Sequence, residues 1–366
     1  MFRIYFLFLF AVFFALDGQA QSNSKQAVNP VKIGLLIPDK KSVSAKNGAE
    51  LAIIQANVKG GFHGQPFELV VRSMEGPWGT GAKEAVNLIF KDEVIAILGS
   101  TDGRNAHLVE QVATKSRVVF LSAWAGDPTL SQAFVPWFFS CMPNNNQQAS
   151  ALVEEICQKQ NLNPVGLVSD QEYDSQSALI SFLKKLKLAG KPDPVPFSLK
   201  DTDQDLTDLL NQMVKADLKC AVLFVKPGLA LKIIQQMQSK KINFPVFSNL
   251  SVLNENEVPD LDLKTLENRI QVISNPWLKS KQSSFNEEFQ RKYGQIPGTV
   301  AAFAYDGMNL LIEAIKKAGI DRENIQKALS EIRYEGVTGF IQFDQKGNRS
   351  GSLIVTPVKN GTPLPH

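Results

Sequence analysis

The chain has 366 residues, of which 44% are hydrophobic and 20% charged, with a formal net charge of +3. These are the values of an ordinary soluble globular protein, long enough to bury more than one core, so two domains are the default expectation. The small net charge, without a basic stripe interleaved with aromatics, gives no argument for nucleic acid or an anionic membrane as partner.

The N-terminus reads as a secretory signal peptide. Arg3 supplies a positive start, residues 4–16 are nearly all Phe, Leu, Ile, Val and Ala, and Gly18-Gln19-Ala20 offers small residues for cleavage near Ala20. A membrane anchor is the weaker reading, because the apolar run is shorter than the roughly 20 residues a span needs. No Cys lies near the cut, which argues against a lipid anchor, so a soluble exported protein of the periplasm is expected. Residues 21–30 read as a polar, disordered lead-in. Cys141, Cys157 and Cys220 are an odd set, leaving at least one thiol unpaired. Buried free Cys is the plain reading, and a Cys141–Cys157 bridge stays open in an oxidising compartment. The sequons at Asn249, Asn348 and Asn360 matter only in a eukaryote and are discounted.

Residues 31–37 give the first strand and 44–58 a helix with Ala49, Ala52, Ile53 and Ala56 on one face. A Gly-rich turn at 59–64 leads to a strand at 67–71. Met74-Glu75-Gly76-Pro77-Trp78-Gly79 forms a loop before a helix around 82–90. Next comes VIAILGSTDGRNAHLVEQVATKSRVVFLSAWAG, residues 94–126. Its two short apolar runs flank a segment with Ala106, Val109, Val112 and Ala113 at helical spacing, a βαβ unit with both sheet faces covered. The loops at 99–103 and 122–127 then lie side by side at the carboxyl ends of parallel strands, where open α/β sheets bind ligands. The first also feeds a helix N-terminus, whose free N–H groups favour an anion. These two loops read as half of a binding cleft.

An extended segment at 137–140 and a linker-like Met142-Pro143-Asn144-Asn145-Asn146 follow, and the pattern restarts. Helices are expected at 148–160, 175–188, 205–215 and 229–240, with strands at 165–168, 195–197, 220–225 and 246–247. Residues 270–273 and 275–277 form another strand and a crossover. Helices at 283–293, 299–318 and 321–332 precede strands at 340–343 and 353–358 around the turn 344–348. Two similar α/β lobes joined near Asn145 are the natural interpretation.

Several motifs run collinearly through the mature chain: VKIGLLIP, NGAELAIIQANVKGGFHGQPFELVV, AILGS, FLSAWAGDPTLS, SDQEYDSQ, AAFAYDGMNLLIEAIKKAG and TGFIQFDQKGNRSG. Together they resemble the type I periplasmic binding proteins, in particular the leucine/isoleucine/valine-binding branch. The resemblance implies two doubly wound parallel-sheet lobes joined by three crossovers, near 142–146, 274–277 and 343–345. Lobe one would be 31–141 with 276–338, and lobe two 146–273 with 339–366. A small ligand would be held between lobes that close on it, and a membrane permease would read the closed shape.

Amino-acid binders of that family hold the ligand with small hydroxyl residues in the two lobe-one loops, a lobe-two Tyr and a lobe-two carboxylate. Here the first loop is Ser100-Thr101-Asp102-Gly103-Arg104, with Gly103 where a hydroxyl is expected. The second is Ser122-Ala123-Trp124, with Trp124 and Gly126 near the places of Ala and Thr. Tyr173 matches the lobe-two tyrosine, Lys226 stands where another aromatic can occur, and 249–251, containing Asn249, has no acid. A buried ammonium needs an anionic partner. Asp102 or Glu75 could supply it, while Arg104 or Lys226 could hold a carboxylate, and Trp78, Trp124 and Tyr173 suit an apolar ligand body. An amino acid and an organic acid or amide therefore both remain open. Arg104 reads equally as a solvated first-turn residue, Trp78 as a rim residue, Lys226 as a surface Lys and Asp306 as structural.

Catalysis is not expected. His63, His107 and His366 have no metal-ligand spacing, no Cys pair completes a zinc site, and neither a nucleophile elbow nor a P-loop is present. No cofactor is expected either. The reading is a monomeric exported solute-binding protein that serves an ABC importer in the inner membrane. A ligand sensor of the same fold without a transport role is the alternative.

Overall fold

The computed structural model describes residues 29–132, 135–199, 206–258, 263–274, 279–359 and 362–363. The expected signal peptide, most of the expected lead-in, the crossover expected at 275–277 and His366 lie outside the described residues.

The first half of the chain builds β1 (Val31–Ile37), α1 (Val43–Val58), β2 (Phe67–Ser73), α2 (Thr80–Val86), β3 (Ala96–Gly99), α3 (Gly103–Lys115), β4 (Val119–Ser122) and β5 (Phe138–Ser140). Its strands form one parallel sheet in the order β2-β1-β3-β4-β5. The near-continuous apolar runs seen in the sequence follow from coverage of both faces. Ile33, Leu35, Ala96, Leu98, Val119 and Leu121 join one buried cluster with Ala45, Ala49 and Ala52 of α1. Their neighbours Leu36, Ile97 and Phe120 join another with Leu88, Ala106 and Val109. A slip of one residue would exchange these faces, and each fully buried Leu, Ile or Phe contributes about 1.5–3 kcal/mol, so register is strongly specified.

The pattern then repeats as α4 (Asn145–Val153), β6 (Val165–Ser169), α5 (Tyr173–Leu188), β7 (Val195–Ser198), α6 (Thr207–Lys215), β8 (Cys220–Phe224), α7 (Pro227–Ser239), β9 (Val246–Ser248) and β10 (Gln271–Ser274). Next come α8 (Lys279–Tyr293), α9 (Thr299–Ala318), α10 (Arg322–Ser330), β11 (Tyr334–Gly336), β12 (Gly339–Ile341), β13 (Ile354–Lys359) and β14 (Thr362–Pro363). The second sheet runs β14-β13-β10-β9-β8-β6-β7, parallel except where β13 pairs with β10 and β14. Read from β7, its parallel part has the same winding order as the first sheet. Each sheet therefore has one switch point, between β1 and β3 and between β6 and β8. Ligands in open α/β sheets bind at the carboxyl ends of such strands.

α9 packs along α1 over the first sheet. A Cβ at Gly48 would sit 2.2 Å from the Ala301 carbonyl oxygen, so only glycine allows this approach of the two backbones.

The structure departs from the sequence reading in a few places. The helices expected around 82–90 and 148–160 each finish in a π-helical turn, at Asn87–Lys91 and Glu154–Lys159. The linker-like asparagines begin α4, where Asn144 and Gln147 form a reciprocal capping box. Around the turn 344–348 the chain is joined by an isolated antiparallel bridge between Phe343 and Arg349, while β12 pairs with β11 and β13 joins the second sheet. All three cysteines are buried free thiols, so Cys141 and Cys157 are not bridged.

Candidate functional site

The loops at the two switch points face one another across a cavity of about 430 Å³. The first sheet contributes Pro38 and Asp39 after β1, Ser100, Thr101 and Asp102 after β3, Arg104 of α3, and Trp124 after β4. The second contributes Glu172 after β6, Tyr173 and Asp174 of α5, and Val225 and Lys226 after β8. Asn254, Asn256 and Glu257, beyond β9, complete that side. A cavity of this size suits a small organic molecule.

Asp102 is the N-cap of α3 and accepts from the Asn105 backbone N–H at 2.9 Å and its side-chain amide at 2.6 Å. The next N–H, that of Gly103, donates to Asp174 Oδ1 of the opposite sheet's α5 at 3.0 Å. A Cβ at Gly103 would lie 2.6 Å from the Asp127 Cβ and 3.0 Å from that same Asp174 oxygen. The hydroxyl expected at this position is therefore replaced by a carboxylate reaching across the cleft. Burial pushes the Asp174 carboxyl up to about 7, with Asp102, Asp127 and Glu257 adding to the rise and the Gly103 N–H opposing it.

A second contact crosses the cleft beside it. The Tyr173 hydroxyl donates to Asp127 Oδ2 at 2.7 Å, and the same oxygen lies 3.2 Å from His107 Nε2. Thr129 donates to the other oxygen through its N–H and its hydroxyl. Burial opposes ionisation of Asp127, but His107, Thr129 and Tyr173 outweigh it and hold the carboxyl well below the usual range. Asp127 and then Glu110 raise His107 to about 9. A His whose folded pKa exceeds its unfolded value stabilises fully below the unfolded pKa and loses that contribution as pH rises through the folded one. Stability is therefore expected to fall between about pH 6.5 and 9 by on the order of 1–2 kcal/mol, after allowance for solvent at the half-open ring. Thermal melts across that range should show the slope, and His107→Gln should remove it.

On the second sheet the organiser is Asp170, 1% exposed. Its carboxylate accepts from the N–H of Glu172 at 3.1 Å and of Lys226 at 2.6 Å, tying both switch-point loops together. Lys226 Nζ reaches Glu172 at 2.6 Å.

Seven of the residues singled out from the sequence therefore line one cavity: Ser100, Thr101, Asp102, Arg104, Trp124, Tyr173 and Lys226. Gly103 does not line it, although its N–H is bonded to Asp174, which does. Ser122, Ala123 and Asn249 do not line it. Ser122 is buried and accepts from the Ala125 N–H at 3.1 Å, Ala123 is enclosed, and Asn249 donates to Asn145 at 3.3 Å. Trp78 does not line it either: it is 69% exposed, with the Arg104 guanidinium 5.7 Å from its ring centre. Glu75 is exposed and lines a separate hollow with Arg72 and Lys40. The sequence reading missed Asp39, Asp170, Glu172, Asp174 and Glu257. Asp170, Glu172 and Asp174 belong to SDQEYDSQ, the segment whose tyrosine alone carries the family likeness.

The model of a family described as periplasmic binding protein matches residues 30–362. The chain belongs to that family. Within the family it is similar to the leucine-, isoleucine-, valine-, threonine- and alanine-binding protein of Pseudomonas aeruginosa, 21% identical over 351 residues and covering 92% of each chain. It also matches glutamate receptor 3.7 of Arabidopsis thaliana, 26% identical over 252 residues, or 66% of this chain but 27% of that one. It covers 38% of the length of glutamate receptor 2.2 from the same plant. Among solved structures, an isoleucine-bound branched-chain amino acid transporter substrate-binding protein from Streptococcus pneumoniae superposes with a TM-score of 0.78. It is 23% identical, with 91% of this chain and 97% of that chain covered. A benzoate-bound solute-binding protein from R. palustris gives 0.76 at 16% identity, with 92% and 95% covered. These likenesses establish the α/β periplasmic binding protein fold with its parallel sheets.

Proposed function

We propose that the chain captures a small organic solute between two closing lobes and delivers it to an ABC importer as an exported, monomeric periplasmic protein. The observation that carries this is the cavity itself, lined from the carboxyl ends of both sheets at their switch points. Membership of a solute-binding family and the isoleucine and benzoate named for two structural neighbours support a solute of that size. Amino acids and related organic acids or amides are the classes to test. Lobe one is then 31–141 with 276–338 and lobe two 146–273 with 339–366. Hinges at 142–146, 274–277 and 343–345 fit the way the first and last are stitched side by side, Asn144 donating to Asn348 at 3.0 Å and Gln147 to the Arg349 carbonyl at 2.8 Å. The same fold serving as a ligand sensor is the second reading, favoured by the match to plant receptors of which this stretch would be only a part.

A thermal-shift screen of the mature protein tests capture, since a solute at about 100 times its dissociation constant adds about 2.7 kcal/mol. Trp124 is only 6% exposed and packs edge-on to Phe303 at 5.9 Å, so its removal to alanine would also open the core. Trp124→Phe is the cleaner variant. It should weaken solute binding about tenfold, or about 1.4 kcal/mol, and unchanged affinity would take Trp124 out of the site.

A further inference from the structure

We propose that the solute of this cleft is an organic cation without a carboxylate, such as a primary amine, a quaternary ammonium or an amino acid amide. The inference rests on the reading of the cleft as the solute site and narrows its ligand.

The charge of the lining comes first. Asp39, Asp102, Glu172, Asp174 and Glu257 bring five carboxylates to the cavity, against two cations, Arg104 and Lys226, among the described residues. Both cations have partners: Lys226 is paired with Glu172 at 2.6 Å, and the Arg104 guanidinium lies over the exposed Trp78 ring. The wall thus carries an excess of negative charge, and a low-dielectric cleft lined by one sign concentrates counter-charge. The raised Asp174 carboxyl reports the same crowding, since Asp102, Asp127 and Glu257 all push it upward after burial has done so. A ligand cation between these groups relieves that repulsion, and an anion adds to it.

The place for a carboxylate is also taken. The helix N-terminus that faces the cleft gives its Gly103 N–H to Asp174, so a protein carboxylate already sits where a ligand anion would gain from the helix. A solute with an α-carboxylate would have to displace Asp174 and leave it in a group of like charges.

The third observation is polar and independent of charge. Ser100 lines the cavity and is 2% exposed, and its Oγ has no hydrogen-bond partner among the described residues. A buried hydroxyl without a partner is costly, and its lone pairs suit the N–H of a primary ammonium or amide, or the hydroxyl that a quaternary ammonium such as choline carries. Trp124 borders the same space, and an indole ring is the strongest of the aromatic partners for a cation. Carboxylates, an aromatic ring and one buried acceptor together describe a receptor for an ammonium group.

The test is isothermal titration of the mature protein with leucinamide, choline and 1,4-diaminobutane as cations, and leucine and benzoate as carboxylate-bearing controls. At least one cation should bind, leucinamide more tightly than leucine by tenfold or more. Glu257→Gln, an exposed change at the cleft mouth, should weaken cation binding about tenfold with its melting temperature unchanged. Leucine or benzoate binding while no cation does would overturn the proposal and leave solute capture standing. Binding of none of the five would overturn both. Cation binding that ignores both Glu257→Gln and Trp124→Phe would put the amine outside the cleft and also overturn the proposal.

Discussion

Arg349→Ala is expected to lower the stability of the chain by about 3–5 kcal/mol, the usual cost of removing one partner from a buried charge network. Arg349 is 1% exposed although it follows a surface turn. Its guanidinium donates to the Cys141 carbonyl at 3.2 Å, the Thr338 hydroxyl at 2.9 Å, the Thr338 carbonyl at 2.7 Å and the Phe340 carbonyl at 3.0 Å. It also lies 5.8 Å from the centre of the Phe303 ring. Thr338 is held in turn by Asp306 of α9, which is fully buried and accepts from the N–H groups of Val337 and Thr338 and from the Thr338 hydroxyl. Burial pushes the Asp306 carboxyl up and brings Arg349 down to about 10, and each opposes the shift of the other. Alanine would strand the carbonyls and leave Asp306 as an uncompensated buried charge. Urea unfolding measures the loss, and a value under 1 kcal/mol would refute this account. Arg349→Met, which fills the space but not the bonds, should recover part of it.

The strands of both sheets were legible because coverage on both faces leaves an unbroken apolar run, as in AILG and CAVLF, and because a loop signal follows, Ser-Thr after the first and Lys-Pro-Gly soon after the second. The lining loops after β3 and β4 could be read from position alone, since both leave the carboxyl ends of neighbouring parallel strands. What remained hidden depends on approach from elsewhere. Asp174 looks like a first-turn acid of α5, and only the meeting of α5 with α3 makes it the partner of Gly103. Arg349 sits in an NRS triplet that reads as a turn, yet the chain turns inward there, a consequence of the bridge between Ser140 and Asn348 that no local pattern announces. Trp78 and Glu75 failed to join the cavity for the converse reason. They follow β2, the edge strand beyond the switch point, and both are exposed.

The segment after β9 carries the last expected result. Glu255 leaves the second sheet and reaches the N-terminus of α9, over the first sheet, where its two oxygens accept from the N–H groups of Val300 and Ala301, each at 2.9 Å. Its neighbour Asn256 accepts from the Ser44 N–H at the start of α1 at 3.2 Å. One short stretch of the second sheet thus caps two helices of the first, using the donors that every helix leaves unsatisfied at its start. Glu255→Ala should cost about 2–4 kcal/mol, the sum for two N–H groups losing a charged acceptor. Because the lost bonds join the two sheets, the radius of gyration from solution scattering should rise with it, which a purely local loss would not produce. Glu255→Gln keeps one acceptor oxygen and should recover about half. Burial lifts the Glu255 carboxyl to about 7 against the two N–H bonds. The folded chain then binds a proton more readily than the unfolded one between about pH 4.5 and 7, and this group's contribution declines as pH rises through that window. Glu255→Gln should flatten the slope there, whereas a slope that survives the substitution would assign it to another carboxyl, with Asp174 at the opposite contact the next to replace.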